Sequence, residues 1–423
     1  MCIPRTIVPR TCLVIVVCLF ASTRVMADTN LMGDIFGTSY HVVLRDAESF
    51  DKSDISATIQ SRLEAIDALM STYRIDSEVS QFNLSEPGDW FSVSSETAQL
   101  VDRAQAISKQ TEGAFDITVG PAVALWNFGV DAKTQFVVPT EEEINATLSR
   151  VGYDKLEVRL DPPAIRKSTA GLKIDLSAVT KGYAVDAVCE TLADIDHYMV
   201  EIGGEVRVRG TRRDGSPWRI GLEAPTKDAR EVDSIVTLQN EAMATSGDYR
   251  NFHEQDGVTY SHTIDPKTAR PVSHQLGSVT IVADDCATAD ALATALLVMG
   301  PGRGKEWAEV NAVKALLVSR NGDQLVRATT PGFPQLNVQP SKADQQSEAN
   351  NSYIGMFVAT AVIFGLAVLA MSIGTIVANR RLQGSCGGMA GLKDAGGNTI
   401  CDMCTKPSTE CSGEPQEESV TTG

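Results

Sequence analysis

Asp290 and Thr294 lie four residues apart in the run Asp285-Cys-Ala-Thr-Ala-Asp-Ala-Leu-Ala-Thr-Ala-Leu-Leu297. On a helix that spacing puts both on one face, one turn apart. A carboxylate and a hydroxyl so placed are hard oxygen donors of the kind Mg²⁺ takes, with waters or phosphate oxygens completing the octahedron. The same pair also fits an Asp favoured by a helix N-terminus and a Thr bonding its own i−4 carbonyl. His262 lies in Tyr260-Ser-His-Thr-Ile-Asp-Pro266, close to an expected turn. A neutral imidazole there could take the proton of an attacking hydroxyl. His41, His197, His253 and His274 have no such surroundings and read as structural or surface residues. Lys181 falls in the first turn of a helix expected over Val179–Leu192, where it could balance phosphate charge or simply be solvated. Gly203-Gly204 would let the backbone approach a ligand closely, and would equally suit a plain turn.

These residues need elements to position them. Lys173-Ile-Asp-Leu176 reads as a short apolar strand ending where the helix with Lys181 begins, a junction that offers backbone groups to a phosphate or its metal. Ile55, Ile59, Leu63, Ile66 and Leu69 mark an amphipathic helix over Asp54–Met70. Ser94–Ile107 is a second helix, with Ser94 or Ser95 as N-cap. Alternation at Val206/Val208 and at Trp218/Ile220/Leu222 predicts strands, and Asn321-Gly322 predicts a hairpin turn between Val313–Arg320 and Asp323–Ala328. Strands and helices mix without regular βαβ alternation, so the fold class is α+β. There is no internal repeat.

Six dense blocks run through this region in order: Tyr73–Asn83, Gly113–Pro121, Lys173–Tyr183, Glu201–Gly204, Ala244–Asn251 and Ser261–Pro266. Together, over about residues 30–330, they resemble the bacterial FAD:protein FMN transferase (ApbE-type) family. The resemblance implies mixed, largely antiparallel sheets with helices. It also implies binding of FAD with Mg²⁺ and transfer of FMN to a Thr or Ser of a target protein, with release of AMP. Carried over residue by residue, it makes Asp290, Thr294 and the Ala178 carbonyl the metal ligands and His262 the catalytic residue. Phe36, Tyr73, Ala114, Phe115, Asp116, Asp175, Lys181 and Ile264 become cofactor contacts. Two positions depart from the pattern. Phe36 stands where Met is usual, and Ala269 replaces the Gly before Arg270-Pro271. If position 269 needs a positive φ, Ala costs about 1 kcal/mol there. Ordinary core remains open for Tyr73 and Phe36.

The 423 residues carry 54 acidic and 37 basic side chains, a net charge of −17, which argues against a nucleic-acid-binding protein. Of nine cysteines only Cys189 and Cys286 fall in the long middle, so that part does not depend on a disulfide framework. Residues 1–27 read as a signal peptide or N-terminal anchor, with Arg5 and Arg10 before the apolar run Leu13–Ala21. Residues 28–334 would form the transferase domain, 335–352 a polar linker and 353–379 a transmembrane helix of about 26 uncharged residues. Arg380-Arg381 follows, which puts the 380–423 tail in the cytoplasm and the transferase domain in the periplasm, at a bacterial inner membrane. In the tail, Cys401-Asp-Met-Cys404 with Cys386 reads as a soft-metal site in a reducing compartment, against the alternative of a disordered Cys-containing tail. The apolar helix, Ser385-Cys-Gly-Gly388 and Cys401–Cys404 resemble the NqrM family, over about residues 352–407. That implies a part in maturing the sodium-pumping NADH:quinone reductase, with iron supply through the tail. Both resemblances imply the same client, since that reductase carries covalent FMN on Thr. Two other classes stay open on the residues alone: an FAD pyrophosphatase, with water as nucleophile, and a non-catalytic flavin- and metal-binding assembly factor.

Overall fold

The computed structural model describes residues 28–339, apart from 46–49, 131, 227–230 and 323; beyond these it describes only positions 356, 360, 362, 363 and 366. The chain divides into one unit over residues 1–339 and another over 340–423. The signal or anchor segment, most of the apolar run and all of the tail cysteines lie outside the described residues. Among the described residues no helix is long and apolar enough to cross a membrane.

The centre of the first unit is an eight-stranded sheet whose strands follow one another across it in chain order. They are β1 (Thr29–Ile35), β2 (Thr38–Leu44), β3 (Tyr198–Ile202), β4 (Glu205–Arg209), β5 (Ala242–Gly247), β6 (Leu276–Ala283), β7 (Lys314–Asn321) and β8 (Gln324–Thr329). Every neighbouring pair is antiparallel. Eight helices are inserted between the strands: α1 (Lys52–Met70), α2 (Glu78–Leu84), α3 (Ser95–Gln110), α4 (Gly120–Leu125), α5 (Glu141–Leu148), α6 (Ser177–Thr191), α7 (Cys286–Met299) and α8 (Pro301–Val310). The α+β class follows from this mixture.

Period-2 alternation gives the sheet two apolar faces. On β5, Ala242 and Ala244 join the large core under α1, α3, α6 and α7, while Met243 points the other way. On β7, Ala315 and Leu317 face the helices, and Leu316 and Val318 face a second, three-stranded sheet. That sheet is built from Trp218–Glu223, Val232–Leu238 and Asn337–Val338. Ile59, Leu63 and Ile66 of α1 are fully buried, each worth about 1.5–3 kcal/mol of transfer free energy. A third, smaller core gathers Ala122, Trp126, Phe128, Ile144, Val151, Ile264 and Ala269.

The helix ends obey their local sequence. Asp51 caps α1 by accepting from the Ser53 and Asp54 amides, and Ser94 caps α3 by accepting from the Thr97 amide. Elsewhere the structure corrects the expectations. Lys173–Leu176 forms no ladder strand; a single parallel bridge joins Lys173 to Val119, and the Asp175 amide donates to the Ile117 carbonyl. An apolar run alone cannot tell a strand from a buried extended segment. In the β7–β8 hairpin Asn321 pairs with Gln324, so Asn321 belongs to the strand ladder rather than to the turn expected at Asn321-Gly322. The fold also continues to Gln339, into the segment read as linker. Leu336 packs on the second core, and Asn337 and Val338 pair with Ile235 and Ser234.

Candidate active site

One cavity of about 690 Å³ opens between the α6–α7 helix pair, the ends of β3, β4 and β5, and the loops around residues 114–119, 129, 249–251 and 262–266. That size suits a cofactor-sized ligand. It is lined by Tyr73, Ala114, Phe115, Asp116, Asp175, Ala178, Lys181, His262, Ile264, Asp290 and Thr294. All the site residues expected in the first unit therefore meet there, with one exception. Phe36 is not among the lining residues. It occupies the β1–β2 turn at φ +52°, with Gly37 at +71°, and packs half-buried against the main core. The resemblance implies a flavin contact for it, and the register Ile35↔Thr38 makes it a turn residue.

The helix end of the cavity depends on a close contact. A Cβ on Gly182 would stand 2.4 Å from the Cys286 carbonyl oxygen, so only glycine lets α6 and α7 approach so near. The approach brings Asp290 Oδ2 to 3.0 Å from the Gly182 amide, which donates to it. The start of α7 is fixed as well. Asp186 of α6 accepts from the Cys286 and Ala287 amides at 3.0 Å, and Arg207 of β4 pairs with Asp186 at 2.6 Å. Thr294 Oγ1 does not bond back to its own helix; it shares a hydrogen bond of 3.0 Å with Ser246 Oγ on β5.

Charge is concentrated at this end. Asp290 is 3% exposed and Glu205 is 2% exposed. Lys181 Nζ pairs with Glu205 Oε1, and Glu205 Oε2 is buried with no hydrogen-bond partner in the protein. Burial raises the Asp290 carboxyl, and it raises Glu205 to about 7 against the opposing pull of Lys181. Burial works against the Lys181 ammonium too, but the carboxylates of Glu205 and Asp290 outweigh it and hold the lysine charged. Asp290, Thr294 Oγ1 and the Ala178 carbonyl make a hard-oxygen donor set suited to Mg²⁺. Burial disfavours both carboxylates, and a cation bound beside Asp290 would favour its ionised form. Among the described residues no group of three or more His, Cys, Asp or Glu could hold a metal.

The other end is made of loops. His262 Nδ1 stands 2.9 Å from the Asn251 carbonyl, and the His262 amide donates to the same oxygen at 3.1 Å. A carbonyl only accepts, so Nδ1 carries the proton and Nε2 keeps its lone pair. Burial holds the imidazole below the ordinary histidine range, neutral at pH 7. Asp116 is buried and spends its carboxylate on the loop, accepting from the Thr118 amide and hydroxyl and from the Tyr153 amide at 2.7–2.8 Å. Burial pushes its carboxyl up. Asp175 accepts from the Ser177 amide at the start of α6. Tyr73 lies at the lip, 70% exposed. Gly203 and Gly204 form a two-residue β3–β4 turn at φ +64° and +111° and line the cavity, so turn and close approach coincide.

The remaining histidines are tied to the scaffold: His41 to Asn30, His197 to the Thr211 amide, His253 to the Asn127 carbonyl and His274 to the Leu297 carbonyl. Cys189 and Cys286 are free and buried, and burial pushes Cys189 up to about 12, so neither is a ready nucleophile. Reading the sequence missed Gly182, Glu205 and Asn251. The signals available were a glycine inside a helix next to Lys181 and an acidic residue directly after Gly-Gly.

Comparison with known proteins follows the same line. The ApbE family model matches residues 36–317, and the (Na+)-NQR maturation NqrM model matches residues 375–419. The NqrM match starts later and runs further than the 352–407 stretch expected. The chain is 43% identical over 307 residues to the FAD:protein FMN transferase of Vibrio cholerae, covering 72% of this chain and 91% of that one. It is 34% identical over 317 residues to the enzyme of the same name from Escherichia coli K12, covering 74% and 90%. Among solved structures, the flavin transferase ApbE from Vibrio cholerae superposes with a TM-score of 0.67 at 42% identity, covering 73% of this chain and 98% of that one. The apo flavinyl transferase ApbE of Pseudomonas stutzeri gives 0.66 at 35% identity, covering 72% and 95%. The chain therefore belongs to the ApbE family of FAD:protein FMN transferases, and carries an NqrM segment at its C-terminal end.

Proposed function

We propose that the cavity performs Mg²⁺-dependent transfer of FMN from FAD to a Thr or Ser hydroxyl of a target protein. The acceptor oxygen bonds to the FMN phosphorus, the diphosphate bridge breaks, AMP departs and the hydroxyl proton passes to His262 Nε2. The observation that carries this reading is that one cavity is lined both by a histidine whose Nδ1 is tied to the Asn251 carbonyl, leaving Nε2 to act, and by Ala178, Asp290 and Thr294. A cation held by those three would neutralise diphosphate charge. Lys181 adds a fixed positive charge to the same wall, and the Gly203-Gly204 turn admits a ligand close to the backbone. Tyr73, Ala114, Phe115, Asp116, Asp175 and Ile264 line the space left for the rest of FAD.

The NqrM match supports a flavoprotein subunit of the sodium-pumping NADH:quinone reductase as the target. In this reading residues 353–379 span the bacterial inner membrane, with the transferase unit in the periplasm and the Arg380-Arg381 tail in the cytoplasm. Cys386, Cys401 and Cys404 would then stay reduced and take up iron for the same client. The test is to incubate the full chain with FAD, Mg²⁺ and a candidate acceptor. An FMN-sized mass increase on the acceptor, matched by one AMP per adduct, is expected. AMP without adduct would turn the reading to hydrolysis, and neither product would leave binding alone.

A further inference from the structure

The reading above gives Glu205 no task, yet this side chain is kept buried, where a charge is poorly solvated. It opens β4 directly after the Gly203-Gly204 turn and borders the cavity with one oxygen on Lys181 and the other unpartnered. Lys181 has two carboxylates to choose from. It precedes Gly182, whose amide holds Asp290, and Asp290 also attracts its ammonium. The described ion pair, however, is with Glu205. An ammonium on Asp290 would cover the oxygens a cation needs and cancel their charge. Two acidic side chains share one ammonium in this wall; without Glu205, Asp290 would face that ammonium alone.

We propose that Glu205 is a positioning residue: it draws the Lys181 ammonium onto itself and so keeps Asp290 open to a divalent cation. The inference rests on the reading of Asp290 as a metal ligand, and the experiment separates the two. Mn²⁺ binding to the full-length chain without FAD is followed by calorimetry or electron paramagnetic resonance, with Asp290→Asn as the baseline for Mn²⁺ held elsewhere. Glu205→Gln should weaken site binding at least about tenfold, the scale of one nearby charge in a partly buried site. Adding Lys181→Met to Glu205→Gln should restore most of that loss, because the competing cation is gone. A Glu205→Gln chain that binds Mn²⁺ like the native one overturns the proposal. So does a loss that Lys181→Met leaves uncorrected, which would make Glu205 a ligand or a fold residue. If Glu205→Gln does not fold, Lys181→Met alone decides: binding at least as tight as native is expected, and weaker binding overturns the proposal. If Asp290→Asn binds as the native chain does, the metal reading itself has failed.

Discussion

The two ends of the cavity are built differently. At the helix end, Asp290, Thr294, Lys181 and Ala178 sit on α6 and α7, locked by the Gly182 contact and by Asp186 and Arg207 across the start of α7. At the loop end, His262 is aimed by one backbone carbonyl, and Asp116 holds its own loop together by three short hydrogen bonds. In the proposed reading the difference matches the demands on each end. A small cation discriminates donor positions within a few tenths of an ångström, which packed helices supply. A base that must meet a protein hydroxyl can stand on a loop at the surface, where another chain can reach it.

The strongest way to break this comparison is to remove the charge at the helix end. Asp290→Ala should lower transfer at least about 10³-fold, since a metal supplies several kcal/mol of charge stabilisation. The fold should survive, because a buried carboxylate is lost, leaving only the Gly182 amide without that partner. Thr294→Val, nearly isosteric, should cost less, about tenfold, because the Asp290 charge stays. Near-native turnover of Asp290→Ala at ordinary Mg²⁺ would remove the helix end from the chemistry.

At the loop end, His262→Ala should reduce the transfer rate about 10²–10⁴-fold while FAD affinity changes far less. The pH profile sharpens the point. Burial lowers the imidazole below its ordinary 6.5, and the neutral form is the base. The rate should therefore be full at pH 7 and fall as the pH drops through a limb centred below 6.5. Loss of that limb in His262→Ala assigns it; a limb centred above 7 would contradict a half-buried, neutral imidazole. Gly182→Ala comes next. Its Cβ would meet the Cys286 carbonyl oxygen at 2.4 Å, so the helices must part, at about 1–3 kcal/mol of stability. Mn²⁺ affinity should drop with it, because Asp290 moves away from the Gly182 amide; unchanged binding would show that the close contact is dispensable to the site.

How legible each end was follows from the same construction. That Asp290 and Thr294 share one face could be read from spacing because helical periodicity puts residues four apart on one side; their role as ligands came only from the resemblance. The α1 and α3 helices, and the strands at Val206/Val208 and Trp218–Leu222, were legible for the same periodic reason. Lys173–Leu176 was misread because its apolar run is satisfied by burial and scattered partners, namely Ile117, Asn83 and a single bridge to Val119, rather than by a ladder. That Phe36 sits in a turn was not legible, because a turn demands backbone conformation rather than side-chain chemistry, and a phenylalanine at positive φ gives no sequence signal. Glu205 and Gly182 matter through contacts with residues distant in sequence, Asp290 and Cys286 among them, which no local pattern encodes.

The smallest expected effect concerns Ala269, in the turn that joins Ile264–Asp265 to Arg270–Pro271 near the loop end. Its φ of +53° is the left-handed conformation glycine takes freely, so the turn is kept and the residue bears the strain. Ala269→Gly should recover about 1–2 kcal/mol of that strain. Against this stand two losses. The methyl is fully buried beside Trp126 and Ile264, worth about 0.8 kcal/mol, and glycine frees the unfolded chain by about 0.4–1 kcal/mol. The backbone bonds should not change: the Ala269 amide still donates to the Asp265 carbonyl at 2.8 Å, and the Ala269 carbonyl still accepts from Trp126 Nε1 at 2.7 Å. The terms nearly cancel, so thermal unfolding of Ala269→Gly should shift Tm by less than about 3 °C in either direction. A clear rise beyond that would mean the methyl contributes little to the small core beside His262. A clear fall would mean that core, rather than the turn geometry, is what holds the loop end in place.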